Sequence, residues 1–404
     1  MRCARSQREG IGLGKSSHKT PVARLLDVTR LMRRAGRVLT GVDRVELAYV
    51  RALLTDEVPV YGLIRSRIGY ILLDATGLAE LRPFLSGPSC DATPEMMSRD
   101  AWRCARRCAV GRVPPFLLAA MLRRKVPTGA TYLNVGHSNL TDRVLGAMRR
   151  INARIVVLIH DVIPLDHPEF QRAGTVQPFA RMIARVGKHA DLVIYNSEVT
   201  RQRTEAYLPD PPESIVSHLG TDSVVPAPGE IPENVPMTRP YFVCIGTIEP
   251  RKNHAFLLDI WAEMGPDAPG LILAGGRGWN NDAVFARLDA LPPDGPVHEV
   301  SGLSDGALAA LVAQSCGVVF ATHAEGFGLP ATEAAARGVP VIVNDLPVMR
   351  EILGDIPIYA CVSDRYLWIN KIRELASSGP DARKQQPYFP TTWDTYFKTV
   401  LRLT

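Results

Sequence analysis

Residues 320–345, FATHAEGFGLPATEAAARGVPVIVND, read as strand, loop, helix, strand. The loop EGFGLP holds one carboxylate, Glu325, and two glycines, Gly326 and Gly328. Pro330 fits the first turn of the helix, where its ring presets φ and no N–H is needed. ATEAAARG then supplies about two turns. Gly338 is a candidate left-handed cap that ends them. The free N–H groups and positive dipole end of such a helix face back into the loop, which suits a phosphate. Glu333 follows Glu325 by eight residues, one at the loop and one inside the helix, so both can flank one ligand.

Upstream, residues 241–248, YFVCIGTI, form an apolar strand that leaves at Gly246, followed by EPRKNHAFLLDIWAEM. Arg251 and Lys252 are adjacent cations at the carboxyl end of that strand, a clamp for a diphosphate. Asn253 is placed to cap the next helix. Gly275-Gly276-Arg277-Gly278 is glycine-rich but is not G-x-G-x-x-G, so it suggests a tight turn near a nucleotide rather than a dinucleotide fingerprint. The final amphipathic stretch, 393–401, reads as a helix.

The Glu-x7-Glu pair around G-F-G-L-P, followed by G-V-P-V-I and preceded by G-x4-R-K-N, resembles the donor-sugar signature of retaining family 4 glycosyltransferases (glycosyl transferases group 1). The resemblance implies an α/β protein of GT-B fold. Two Rossmann-like, doubly wound parallel-sheet domains would face a cleft, and a C-terminal helix would cross back to the first. It implies a nucleotide-diphosphate sugar as co-substrate, with no cofactor and no metal. The absence of any Asp-x-Asp pair in the sequence agrees with a metal-free site. By the resemblance, Glu325, His160, Arg251 and Lys252 carry the chemistry. Gly41, Gly246, Arg251, Lys252, Thr322, Glu325, Gly326, Phe327, Gly328, Leu329 and Glu333 hold the donor. The family has Pro-Ser before the glutamate loop; here Thr322 and His323 stand near that point, with Thr322 retaining a hydroxyl.

A chain of 404 residues exceeds one ordinary core, so two domains are expected. The five prolines in residues 224–240 mark the linker. The expected division is a disordered basic tail at 1–20, an acceptor-side domain at 21–228, a nucleotide-sugar domain at 229–388, and a returning helix at 389–404. In the first domain, residues 155–159, IVVLI, form a continuous apolar strand of the kind buried on both faces of a parallel sheet. It ends in His160-Asp161. Ligands bind at the carboxyl ends of such strands, which places His160 at the cleft, with Asp161 orienting its ring or meeting acceptor. Residues 23–30 suggest a first strand. Gly41 opens a helical pattern, and Ser197 is a candidate N-cap. Residues 75–98, rich in Pro, Ser and Gly, read as irregular.

Between residues 99 and 125 there are eight Arg/Lys against Asp100 alone, around the apolar run VPPFLLAAML. One reading is a solvated helix face; the other is a seat on an anionic membrane, where a polyprenyl-linked acceptor would be met. No apolar run is long enough to span a bilayer, and no signal-like apolar region is seen. Seven cysteines without a C-x-x-C pair argue for a reducing compartment. The expected location is cytoplasmic, with peripheral contact at the inner face of the membrane. The cations are not interleaved with aromatics, which disfavours nucleic acid as a partner. The function expected is hexose transfer, with GDP-mannose as the representative donor, to a glycan or lipid-linked acceptor in cell-surface polysaccharide synthesis. Two alternatives stand beside it. One is a non-catalytic GT-B scaffold of a polysaccharide assembly complex. The other is a phosphorylase or epimerase of the same fold.

Overall fold

The computed structural model describes residues 20–87, 92–237, 240–378 and 388–404. The expected basic tail, save Thr20, lies outside the described residues. The first sheet contains β1 (Arg24–Asp27), β2 (Val60–Arg65), β3 (Tyr70–Leu73), β4 (Gly111–Val113), β5 (Thr131–Asn134), β6 (Arg154–Ile159), β7 (Leu192–Tyr195) and β8 (Ser214–Val216). Their spatial order is β4-β3-β2-β1-β5-β6-β7-β8. All pairings from β2 to β8 are parallel; β3 and β4 add an antiparallel edge. The second sheet contains β9 (Tyr241–Ile245), β10 (Gly270–Ala274), β11 (Val297–Val300), β12 (Gly317–Phe320), β13 (Val341–Val343) and β14 (Ile358–Tyr359), all parallel, in the order β11-β10-β9-β12-β13-β14.

Buried helices on both faces explain the unbroken apolar strands. Leu25, Leu26, Ile155 and Val157 in the first sheet and Phe242, Ile272, Val318 and Ile342 in the second are all fully buried. Each sheet reverses its winding once. In the second, β9 and β12 sit side by side although two strands and three helices separate them in the chain. A crevice opens at such a reversal, beyond the carboxyl ends of the strands. The loops after β9 and β12 are the ones that carry Arg251-Lys252 and Glu325.

Two sequence expectations are corrected in the first domain. The strand from residue 23 stops at Asp27, whose side chain accepts from the Thr29 N–H at 3.1 Å and turns the chain into a helix, Thr29–Arg34. Residues 75–98 are mostly helical, as Ala75–Leu85 and Pro94–Arg107. Asp74 caps the first through the Gly77 N–H and Thr93 caps the second through the Met96 N–H. Pro94 occupies the first turn, where proline does no harm. Pro83 lies inside the first helix near its end, and Pro94 marks the capped start of the second. Arg365–Ser377 forms a further helix that the sequence pattern did not disclose.

The C-terminal helix, Trp393–Val400, packs on the first domain. Tyr396 and Tyr49 join their hydroxyls at 2.7 Å in a fully buried contact. Phe397 meets the Tyr49 ring edge-on at 5.0 Å. Arg24 donates to the carbonyls of Leu401 and Thr404, both at 3.0 Å. Gly220 has no room for a side chain, because a Cβ there would lie 2.5 Å from the Trp393 backbone. Tyr49→Phe and Tyr396→Phe should each cost about 1–3 kcal/mol, since each strands a buried hydroxyl; the double variant should cost less than their sum. Urea unfolding of the four proteins checks this, and additive losses would mean that the two hydroxyls are independent.

Candidate active site

The glutamate loop and the cation pair meet at the winding reversal of the second sheet. Glu325 Oε1 lies 2.6 Å from Lys252 Nζ, and Glu325 Oε2 lies 3.0 Å from an Arg251 guanidinium nitrogen. Arg251 also pairs with Glu249 at 2.7 Å and donates to the Ala324 carbonyl at 2.7 Å. Gly246, at φ +134, is bare where the Lys252 stem crosses it; a Cβ there would lie 3.2 Å from Lys252 Cε. Burial pushes the Glu325 carboxyl up, but the charges of Arg251 and Lys252 outweigh it and hold the group down at about 2. Glu325 is therefore an anion at neutral pH. Its contribution to stability is complete above its unfolded value of 4.5 and is lost as pH falls toward 2.

The helix Leu329–Ala336 begins as the glycine loop ends. Gly328 sits at φ +93, a left-handed conformation that costs glycine little, and this turns the chain into the helix. Pro330 is in its first turn, and Gly338 follows its end at φ +69. Phe327 and Leu329 are buried and wedge the loop against the first domain. Glu333 points across the cleft and pairs with Arg44, which also reaches Asp222 at 3.4 Å. Gly41 opens the helix Gly41–Thr55, with Thr40 and Asp43 forming a capping box. A Cβ at Gly41 would lie 3.7 Å from Leu329 Cδ1, so this glycine faces the glutamate loop directly.

His160 is in the cleft floor, at the end of β6, and is 5% exposed. Its Nε2–H donates to the Val135 carbonyl at 2.7 Å, which leaves Nδ1 as the acceptor. Burial pushes its pKa down to about 4, so the ring is neutral. The two domains touch here. The Gly326 backbone lies so near the His160 carbonyl that a Cβ would approach it to 2.2 Å. Ser197 and Thr200 both donate to the Gly326 carbonyl at 3.2 Å. Ser197 also caps its helix, Glu198–Glu205.

Three expectations are corrected. Thr322 is 1% exposed, and its hydroxyl donates to the Arg251 and Ala324 carbonyls at 3.2 and 3.1 Å, so it shapes the loop instead of facing a ligand. Asp161 accepts from the Ile163 N–H at 3.1 Å and does not orient the His160 ring, which Val135 holds. Asn253 is left-handed at φ +56 and makes no side-chain cap; it turns the chain into the helix His254–Met264.

Sequence reasoning missed the groups that join the domains. Arg44 is the chief one; it lies three residues after Gly41, hence on the same helix face, and that spacing was the available signal. Glu351 accepts from the N–H groups of Glu198 and Val199 at 2.6 and 2.9 Å, capping a helix of the other domain, and pairs with His218 at 2.9 Å. On the far side, Trp279 Nε1 and Asn280 Nδ2 donate to the Phe170 and Gln171 carbonyls, both at 2.9 Å. His323 stacks on Phe170 with ring centroids 5.4 Å apart.

Residues 230–385 match the family model "Glycosyl transferases group 1", so the second domain carries that domain. Over 230 residues the chain is 34% identical to the serotype-specific mannosyltransferase WbdA of Escherichia coli, covering 52% of this chain and 28% of that protein. It is 27% identical over 221 residues to the O-antigen chain mannosyltransferase B of Escherichia coli, covering 52% and 58%. The chain thus spans about a quarter to just over half the length of these curated relatives. Among solved structures, Anabaena HepE in complex with UDP and glucose superposes with a TM-score of 0.60 at 14% identity, over 94% of each chain. The fold is GT-B.

Proposed function

We propose that this chain is a retaining glycosyltransferase that moves a mannosyl group from a nucleotide-diphosphate sugar to a glycan or polyprenyl-linked acceptor in cell-surface polysaccharide synthesis. The observation that carries this reading is the meeting of Arg251, Lys252 and Glu325 at the winding reversal of the second sheet, with Glu333 on the following helix reaching Arg44 and with Gly41 and His160 opposite the loop. The mannosyl assignment takes its support from the two Escherichia coli relatives, both mannosyltransferases.

As the glycosidic bond to the diphosphate lengthens, negative charge grows on the leaving phosphate. Arg251 and Lys252 are held in place before the reaction, so stabilising that charge needs no reorganisation. The N–H groups at the start of the helix Leu329–Ala336 add to the same field. Glu333 accepts from the ribose hydroxyls once Arg44 yields its place. Glu325, kept ionised, accepts from hydroxyls of the transferred sugar and favours positive charge at its anomeric carbon. His160, neutral, offers Nδ1 from the acceptor side. In this reading the leaving phosphate takes the acceptor proton, and no protein nucleophile or metal is assigned.

The acceptor side has a groove of about 800 Å³ at the rim formed by the β2–β3 turn and the end of β4. Ile68, Trp102 and Val113 give it an apolar wall, and Arg67, Arg106 and Arg112 stand around it. β2 and β4 run parallel to β1, so this rim is on the cleft side of the sheet. Ile68 and Phe116 are 79% and 77% exposed. That pairing of exposed apolar groups with cations suits an anionic lipid surface at the inner face of the membrane. Among the described residues no helix is long and apolar enough to cross one.

Labelled GDP-mannose offered with a mannosylated acceptor, free in solution or carried in anionic vesicles, tests the proposal. Transfer with the α configuration kept, insensitive to EDTA and faster on vesicles, is expected. Product of β configuration would overturn the retaining assignment. Transfer that ignores vesicles would overturn the membrane assignment.

A further inference from the structure

We propose that Glu80, Cys104 and Cys108 form a binding site for a soft divalent metal ion of the zinc class, which pins two helices of the first domain together. The site is remote from the donor loops in sequence and stands independently of the function above.

Cys104 and Cys108 are one turn apart at the end of the helix Pro94–Arg107, so their side chains leave from one face. Their Sγ atoms are 3.9 Å apart. The Cys108 thiol donates to Glu80 Oε2 at 3.0 Å, and the three ligand atoms all lie within 4.8 Å of one another. Zinc bonds of about 2.3 Å to sulfur and about 2.0–2.2 Å to oxygen give a tetrahedron with edges of about 3.8 Å between sulfurs and about 3.5 Å from sulfur to oxygen. The sulfur-to-sulfur spacing of 3.9 Å matches its edge, and the 3.0 Å from Cys108 to Glu80 is about half an ångström short of its own, so rotation of the Glu80 side chain opens the place for an ion.

The approach of the two helices is built into the backbone. Gly77, one turn before Glu80 on the helix Ala75–Leu85, leaves space for the end of the other helix. A Cβ at Gly77 would lie 3.0 Å from the Cys108 carbonyl oxygen and 3.3 Å from Cys108 Cβ. Cys104 is 5% exposed and so fixed by packing, while the Glu80 side chain is 47% exposed and faces solvent, from which a water completes the tetrahedron. Binding releases one proton from each thiol to solvent, and no electron moves. Two thiolates and one carboxylate exceed the charge of a divalent ion by one. Arg107, donating to Glu80 Oε2 at 2.9 Å, supplies the balancing charge from outside the ligand set. Trp102 and Arg106 of the same helix line the rim groove, so the ion would stiffen that wall.

The full-length chain, purified reduced and metal-free, is titrated with cobalt(II), then with zinc. One equivalent of cobalt should give thiolate-to-metal charge transfer and the visible bands of a tetrahedral ion, and zinc should displace it and raise the melting temperature. Cys104→Ser and Cys108→Ser should each weaken binding roughly tenfold or more and diminish the charge-transfer band. Glu80→Gln should weaken binding with the band retained, and Cys361→Ser should change nothing. Circular dichroism of the metal-free variants separates ligand loss from misfolding. If a serine variant does not fold, Glu80→Gln and the wild-type bands decide. The proposal is overturned if no stoichiometric cobalt binds, or if binding survives in the Cys104→Ser/Cys108→Ser double variant. It is also overturned if the protein is isolated as a Cys104–Cys108 disulfide and takes up no metal after reduction.

Discussion

Lys252→Met should lower turnover roughly a thousandfold while leaving the far-UV spectrum of the protein unchanged. The methionine keeps the stem that crosses Gly246 but removes the charge that the proposed mechanism aims at the leaving phosphate. Glu325 keeps Arg251 at 3.0 Å, so its carboxylate is not stranded in the buried loop. The loss should fall mainly on the rate of the bound complex, because the charge that Lys252 meets grows only as the bond breaks. Steady-state transfer kinetics and a melting curve on the same preparation check both halves. Wild-type turnover in a folded variant would remove Lys252 from the reaction.

Glu333→Ala should cut kcat/KM roughly a hundredfold by a different route, through weaker binding of the nucleotide in the ground and transition states alike. On the proposed reading, an acceptor to neighbouring ribose hydroxyls is lost. The partner Arg44 retains Asp222 at 3.4 Å, which limits the cost to folding. The signature is a raised KM with kcat largely kept, opposite to that of Lys252→Met. A fall in kcat with KM unchanged would move Glu333 from the ribose to the reacting centre.

Much of the second domain was legible because its chemistry is local. Gly246 to Lys252 and Glu325 to Glu333 each lie within one strand-loop-helix unit, where spacing dictates geometry. The parallel order of β9 and β12 then brings the two units together. The first domain was less legible for two physical reasons. Proline and glycine at residues 83, 87 and 94 belong to helix ends and caps, and composition alone does not tell a capped helix from a loop. Contacts that close the cleft join residues far apart in the chain: Arg44 with Glu333 across 289 positions and Glu351 with Glu198 across 153. No periodicity carries such pairs. Thr322 shows a third reason. Its hydroxyl suited a ligand, but the loop it stands in leaves two carbonyls to be satisfied, and the nearer demand takes it.

The proposed donor site is tested most directly by melting the purified protein with GDP, UDP, ADP and TDP, each with and without EDTA. Arg251, Lys252 and a Glu333 released by Arg44 should give a rise in melting temperature with one nucleoside diphosphate, GDP for a mannosyl donor, unchanged by EDTA. The same rise should be lost in Glu333→Ala. No rise with any of the four, or a rise that EDTA abolishes, would contradict a metal-free nucleotide-sugar site in this cleft.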